Sequence, residues 1–176
     1  MCGIAGILYK NQEQVVDRSL LKKMCDVIGH RGPDGEGFWG ERGFGLGHRR
    51  LSIIDLATGQ QPMSNEDGTI WITYNGEVYN YLELQPDLEK KGHIFKTTCD
   101  TETIIHLYEE YGHECLKYLN GMFSFVIVDT KKNEVFMVRD RLGIKPLYYY
   151  EDNQKVLFGS EVKSIIQDKT VPKQID

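Results

Sequence analysis

Apolar residues run without interruption from Ile4 to Tyr9 in GIAGILY and predict a first strand. Over 17–28 the period changes. Leu20, Leu21, Met24, Val27 and Ile28 recur at helical spacing and Gly29 closes the run, so a helix is predicted. HRGPDGEG (30–37) is too rich in glycine and proline to be anything but loop. A second strand is predicted over GFGLGHRRLSIID (43–55), with Leu46, Leu51, Ile53 and Ile54 apolar and a turn following at DLATGQQP. In TIWITYNGEVY (69–79), Ile70, Ile72 and Tyr74 alternate with Trp71 and Thr73, a strand expected to break at Asn75-Gly76.

Residues 80–91 read as a helix that Pro86 must kink or restart. TETIIHLYEEYG (101–112) predicts a cleaner helix ended by Gly112, with a short one over 114–119. Strands follow at MFSFVIVD, EVFMVRD, PLYYY and KVLFGS, then a short helix near 162–166. Their short connections require antiparallel hairpins and meanders rather than crossovers. This order implies two sheets with helices on their outer faces, one α+β domain over 1–176.

Composition narrows the function. Apolar residues make up 40% of the 176 and charged residues 27%, within the globular range. A net charge of -5 argues against nucleic acid or an anionic membrane as the main partner. No apolar run approaches the roughly 20 residues of a membrane span. GIAGILY is too short for a signal peptide and meets Lys10, Asn11 and Gln12 at once, which points to the cytoplasm. The cysteines, Cys2, Cys25, Cys99 and Cys115, form no C-x-x-C pair and no zinc spacing with the histidines. Free thiols and no structural metal are expected, with Cys25 and Cys115 as packing residues.

The candidate chemistry begins at Cys2. If Met1 is removed, Cys2 carries a thiol and a free α-amine, a nucleophile and a base on one residue. A thiol with a pKa of about 8.5 is only a few per cent thiolate at neutral pH, and an α-amine of roughly 7.7–8.0 can take its proton. The alternative is a small apolar residue starting a strand. None of the five histidines declares itself a partner of Cys2, and a one-residue nucleophile and base needs none. Asn75-Gly76 offers an amide side chain and an unencumbered N–H for an oxyanion, or else a type I′ hairpin turn, which Glu77 and Tyr79 do not suit. Of Arg49 and Arg50 one must face inward, to meet a carboxylate or to fork an anionic ligand. Asp100 can cap the following helix or receive an ammonium group. An arginine with a carboxylate is how a site grips a free α-amino acid.

In order, MCGIAGI, HRGPDGEG, HRRLSIID, YNGEVYNY and CDTE, then RDRLGIKPLYYY (139–150) and FGSEVKSI (158–165), resemble glutamine amidotransferase domains of the N-terminal-nucleophile type. RGPDGEG and NGEVYNY are similar to the glutaminase half of glutamine-hydrolysing asparagine synthetases. The resemblance implies a four-layer αββα sandwich of two antiparallel sheets flanked by helices. It implies that Cys2, freed of Met1, attacks the side-chain amide of L-glutamine through a thioester and releases ammonia and L-glutamate. Arg50 would hold the α-carboxylate, and Leu51, Ser52, Ile53 and Ile54 would line the pocket. Asn75 and Gly76 would form the oxyanion hole, and Glu77 with Asp100 would meet the α-ammonium.

The resemblance also implies an ammonia-receiving synthetase domain, joined or separate. ATP and magnesium belong there, and this domain needs no cofactor or metal of its own. No SGG-x-D-S loop occurs in the 176 residues, so the chain is expected to be an excised or freestanding glutaminase half, with a homodimer possible. The alternatives are a domain of the same branch serving another acceptor, and a silent glutamine-binding scaffold.

Overall fold

A computed structural model describes residues 1–52, 55 and 58–173. They form two compact units, Met1–Leu51 with Pro146–Asp176, and Ser52–Lys145. In the first unit, β1 (Gly3–Tyr9) is the middle strand of an antiparallel sheet. Beside it lie β3 (Phe44–Arg50) and, at one edge, β2 (Gly35–Gly40). On its other side are β9 (Lys155–Gly159) and the edge strand β8 (Tyr148–Glu151). Every residue of β1 is buried, as its unbroken apolar run requires.

Helix α1 (Arg18–Asp26) turns Leu21, Met24 and Cys25 into the core with Ile7, Ile28 and Leu157. Each fully buried aliphatic side chain of this kind stabilises the fold by about 1.5–3 kcal/mol. Asp17 caps the helix, its carboxylate accepting the Leu20 N–H at 2.9 Å. The short helix α4 (Val162–Ile165) adds Ile165 to the same core.

The second unit holds the four-stranded antiparallel sheet β4 (Met63–Ser64), β5 (Ile70–Val78), β6 (Gly121–Asp129) and β7 (Glu134–Arg139), in that order. Helix α3 (Asp100–Tyr111) places Ile104, Ile105, Leu107 and Tyr108 against Ile72, Tyr74, Phe125 and Ile127, and α2 (Tyr81–Lys90) contributes Leu88. Each unit is thus an antiparallel sheet with helices packed on it, and the α+β reading holds. Among the described residues no helix is long and apolar enough to cross a membrane.

Several local expectations are corrected. The predicted loop 30–37 already contains the start of β2 at Gly35, because Gly35 and Gly37 pair with Arg50 and His48 of β3. The predicted strand over 43–55 ends at Arg50. Helix α2 runs through Pro86 without a restart. Proline removes the bond to the Leu82 carbonyl, but Leu82 is exposed, and water can take the missing donor's place. The helix expected over 114–119 is a 3-10 turn, Gly112–Lys117.

Candidate active site

Cys2 directly precedes β1, and two anchors hold it. The Ile4 N–H donates to Ser160 Oγ at 3.0 Å while the Ser160 N–H donates to the Ile4 carbonyl at 2.9 Å, stapling the start of β1 to the residue after β9. The Cys2 carbonyl accepts Arg31 Nε–H at 3.0 Å, and Arg31 is itself ion-paired to Glu161 at 3.1 Å. The thiol then faces the backbone of Leu51. Its Sγ lies 3.4 Å from the Leu51 nitrogen, which donates to it, and 3.5 Å from the Leu51 oxygen, which accepts the S–H.

The other cysteines are chemically quiet. Burial pushes the thiols of Cys25 and Cys115 up to about 12 and raises that of Cys99. All four cysteines are free of disulfides, and Cys2 alone is not buried.

The two arginines of HRRL divide as alternation along a strand demands. Arg49 is the structural one: it donates to the Cys25 carbonyl at 3.2 Å and pairs with Glu36 at 2.8 Å and with Asp26. Arg50, the last residue of β3, is buried to 9% exposure and stands next to Leu51 in sequence. Gly32 explains part of HRGPDG. A Cβ there would stand 2.3 Å from the Arg49 carbonyl carbon, so only glycine lets this turn pack on the Arg49–Arg50 peptide. Ser52 is half-buried, whereas Ile53 and Ile54 lie outside the described residues.

In the second unit, Asn75-Gly76 is neither a strand end nor a hairpin turn. β5 continues to Val78, with Asn75 opposite Ser124 and Gly76 opposite Phe123. The expected break is corrected: among the described residues this stretch of β5 continues as strand without a strand neighbour on its β4 side. β4 reaches only Trp71 and Ile72, so the edge beyond is taken by side chains. The Tyr74 N–H donates to Gln61 Oε1 at 2.7 Å and the Val78 N–H to Asp100 Oδ2 at 2.9 Å. N–H direction repeats every second residue, so the Gly76 N–H between them opens on the same edge.

Gly76 is required by close approach, since a Cβ would meet the Met122 oxygen at 2.5 Å and Phe123 Cα at 2.7 Å. Asn75 is 1% exposed, and its Nδ2 is a buried donor with no hydrogen-bond partner among the described residues. A buried amide left open is costly unless something arrives to use it.

Asp100 is the first residue of α3, and its carboxylate does not cap the helix. It turns away to accept Tyr74 Oη–H at 2.6 Å and the Val78 N–H. Burial raises the pKa of this carboxyl, the two donors pull it down, and the neighbouring Glu77 charge adds to the rise. Two residues on, Glu102 holds the preceding loop. It accepts the N–H groups of Lys96 and Thr97, both at 2.8 Å, and the Thr97 hydroxyl at 2.6 Å. His106, one turn later and 1% exposed, donates to Glu109 at 2.8 Å and stands 3.8 Å from Glu102 and 3.9 Å from Glu66. Burial opposes its charge, but Glu102 and Glu109 outweigh burial and raise it to about 9. Glu102 is held down to about 2, its own burial outweighed by His106 and Thr97. His93, His106 and Glu109 carry ligand-type atoms within 4.8 Å of one another, and His93 is ion-paired to Glu110 at 3.0 Å.

Tyr74, Gln61, Glu102 and His106 were not among the residues singled out from sequence. The signal available was the Glu102–His106 spacing of i,i+4 on a predicted helix. Nothing in the sequence marked Tyr74 or Gln61 as anything but a core aromatic and a turn residue.

Over residues 1–176 the chain matches the family described as "Glutamine amidotransferase domain". It is 48% identical over 178 residues to asparagine synthetase [glutamine-hydrolyzing] 2 of Bacillus subtilis, covering 100% of this chain and 24% of that protein. It is 43% identical over 169 residues to asparagine synthetase [glutamine-hydrolyzing] of Zea mays, covering 96% and 28%. The chain therefore spans about a quarter of the length of these relatives. Among solved structures, glutamine phosphoribosylpyrophosphate amidotransferase from B. subtilis shares the fold. The TM-score is 0.73 at 23% identity, covering 94% of this chain and 43% of that one. An allosteric regulatory enzyme of purine biosynthesis matches with a TM-score of 0.76 at 22% identity, over 94% and 43%.

Proposed function

The chain belongs to the glutamine amidotransferase domain family, and on that premise we propose that it hydrolyses the side-chain amide of L-glutamine with Cys2 as nucleophile. The observation that carries the reading is the Cys2 thiol, half-buried and set against the Leu51 N–H at 3.4 Å while the other three thiols are buried. Met1 is 53% exposed, so the bond that must be cut to free the α-amine lies at the surface.

In this mechanism the α-amine takes the thiol proton, and sulfur adds to the amide carbon. The resulting oxyanion is received by Asn75 Nδ2 and the Gly76 N–H. Collapse expels ammonia, protonated by the α-ammonium, and leaves a thioester. Water, deprotonated by the same amine, then releases L-glutamate and restores the thiol. Arg50 meets the substrate α-carboxylate, and Glu77 and Asp100 its α-ammonium. Leu51 and Ser52 lie against the substrate. These residues need no metal or cofactor for the hydrolysis itself.

The names of the relatives support a coarser statement about purpose. Those names are glutamine-hydrolysing asparagine synthetases, which supports a synthetase part as the receiver of the ammonia; ATP and magnesium are proposed for that part. The alternative, a silent glutamine-binding scaffold, predicts binding without a covalent adduct. The test is a glutamine analogue bearing an electrophilic ketone in place of the amide. It should add once, to the N-terminal Cys2 of the processed chain, as read by peptide mass. No adduct, or an adduct on another residue, overturns the reading.

A further inference from the structure

We propose that Tyr74 is a positioning residue for the α-ammonium of the substrate: its buried hydroxyl, 2.6 Å from Asp100 Oδ2, keeps that carboxylate anionic and fixed in direction. The inference rests on the glutaminase reading and deepens it. Tyr74 immediately precedes Asn75, is 3% exposed, and is locked from two sides. Its own N–H is held by Gln61 Oε1 at 2.7 Å, and Gln61 in turn donates to Thr101 Oγ at 3.3 Å, on the residue after Asp100. Tyr74, Gln61, Thr101 and Asp100 thus form a closed loop of contacts tying the start of α3 to the edge of β5.

The need for such a residue follows from the surroundings of Asp100. It is 5% exposed, and the charged group facing it from β5 is Glu77, of the same sign. Its neighbour on the other side is the Cys99 thiol, which burial keeps protonated. Burial and the Glu77 charge favour a neutral Asp100, and a neutral carboxyl attracts an ammonium group far less than a carboxylate does. The Tyr74 hydroxyl and the Val78 N–H oppose them, together with Asp100's own backbone N–H. The Tyr74 hydroxyl and the Val78 N–H both converge on Oδ2 and fix the direction of the carboxylate. The Gly76 N–H opens on the same strand edge, between the two residues that hold Asp100. The group that locates the substrate's charged end and a group assigned to the reaction are therefore set by the same five residues of β5.

Removing the hydroxyl while keeping the ring isolates this role. In Tyr74→Phe, Asp100 loses its hydroxyl donor and its protonation moves to higher pH. Hydrogen bonds to charged groups are strong enough to move the acid limb upward by about one to two pH units. The experiment uses the full chain with Met1 removed and Cys2→Ala, so that binding is read without turnover. Glutamine affinity is measured calorimetrically from pH 5 to 8, with and without Tyr74→Phe, alongside the 13C resonance of the Asp100 carboxyl. Tyr74→Phe should weaken binding about tenfold near the acid limb and far less at pH 8. In the active chain the loss should fall on KM more than on kcat, a pattern that general loosening of the fold would not give.

Superimposable pH profiles, or an Asp100 resonance that titrates as before, overturn the proposal. If Tyr74→Phe does not fold, Asp100→Asn serves instead: it should weaken glutamine binding at least about tenfold at pH 8, and unchanged affinity there refutes the role of Asp100 and of Tyr74 with it. If the Cys2→Ala chain binds no glutamine at any pH, the glutaminase reading fails. The carboxyl titration still decides what Tyr74 does to Asp100.

Discussion

Asn75→Leu should separate stability from catalysis. The Asn75 side chain is 1% exposed and its Nδ2 has no partner among the described residues. An unsatisfied buried donor costs the resting fold about 1–3 kcal/mol. Leucine has a similar volume and no donor, so the substitution removes that cost and adds at most about 1.5 kcal/mol of shape mismatch. Unfolding free energy should hold or rise by about 1–2 kcal/mol, which for a chain of this length is an increase in Tm of about 2–8 °C. Catalysis should move the other way. Loss of one oxyanion donor typically costs about 2.7–4 kcal/mol, or 10²–10³ in kcat. Calorimetric melting and glutamine-dependent ammonia release on the same preparations measure both. A variant that melts lower yet keeps kcat within about threefold would refute the reasoning. It would make Asn75 a packing residue whose amide is satisfied in solution.

Three further outcomes follow from the same geometry. Gly76→Ala should destabilise the chain by about 1–3 kcal/mol, because its Cβ would stand 2.5 Å from the Met122 oxygen; a Tm equal to wild type refutes the close approach. Brief treatment with iodoacetamide at neutral pH should add one label, at Cys2, since Cys25 and Cys115 are raised to about 12 and buried; two or more labels on the folded chain contradict this. His106 is raised from about 6.5 to about 9, so its stabilising charge is fully present below about 6.5 and is lost as pH rises through about 9. Wild-type stability should fall across that window by at most about 3 kcal/mol, and His106→Asn should flatten the slope. An unchanged slope in the variant assigns it to another group.

What was legible in the sequence was the part encoded locally. The apolar run of β1, the i,i+3,i+4 face of α1 and the hairpin spacing of the late strands each produced the element found. The reading failed where a long-range partner decided the conformation. Asn75-Gly76 has the local chemistry of a turn, but β6 runs alongside through Ser124 and Phe123 and keeps it extended. Gly35 looked like loop until β3 supplied Arg50 opposite it. Asp100 read as a helix cap or an ammonium partner, and the cap is not made: Tyr74, twenty-six positions earlier, donates to its carboxylate. The site followed the same rule. Of the candidate site, Cys2, the Arg49–Arg50 pair, Asn75-Gly76 and Asp100 stood out in the sequence with bland alternatives beside them, while the choice of Arg50 and the role of Glu77 came from the family resemblance. Tyr74 and Gln61 fit their local patterns and were invisible, because only tertiary contact gives them a task.

The account stands most directly on the N-terminus. Intact mass and glutamine-dependent ammonia release should be measured on one chain in two forms, with Met1 removed and with Met1 retained, and with Cys2→Ala as the control. The account predicts ammonia and L-glutamate in equal amounts from the processed form, a loss of about 10²–10⁴-fold when Met1 keeps the α-nitrogen in a peptide bond, and no turnover in the control. Equal activity in the two forms would contradict it, because the base would then lie somewhere other than on Cys2.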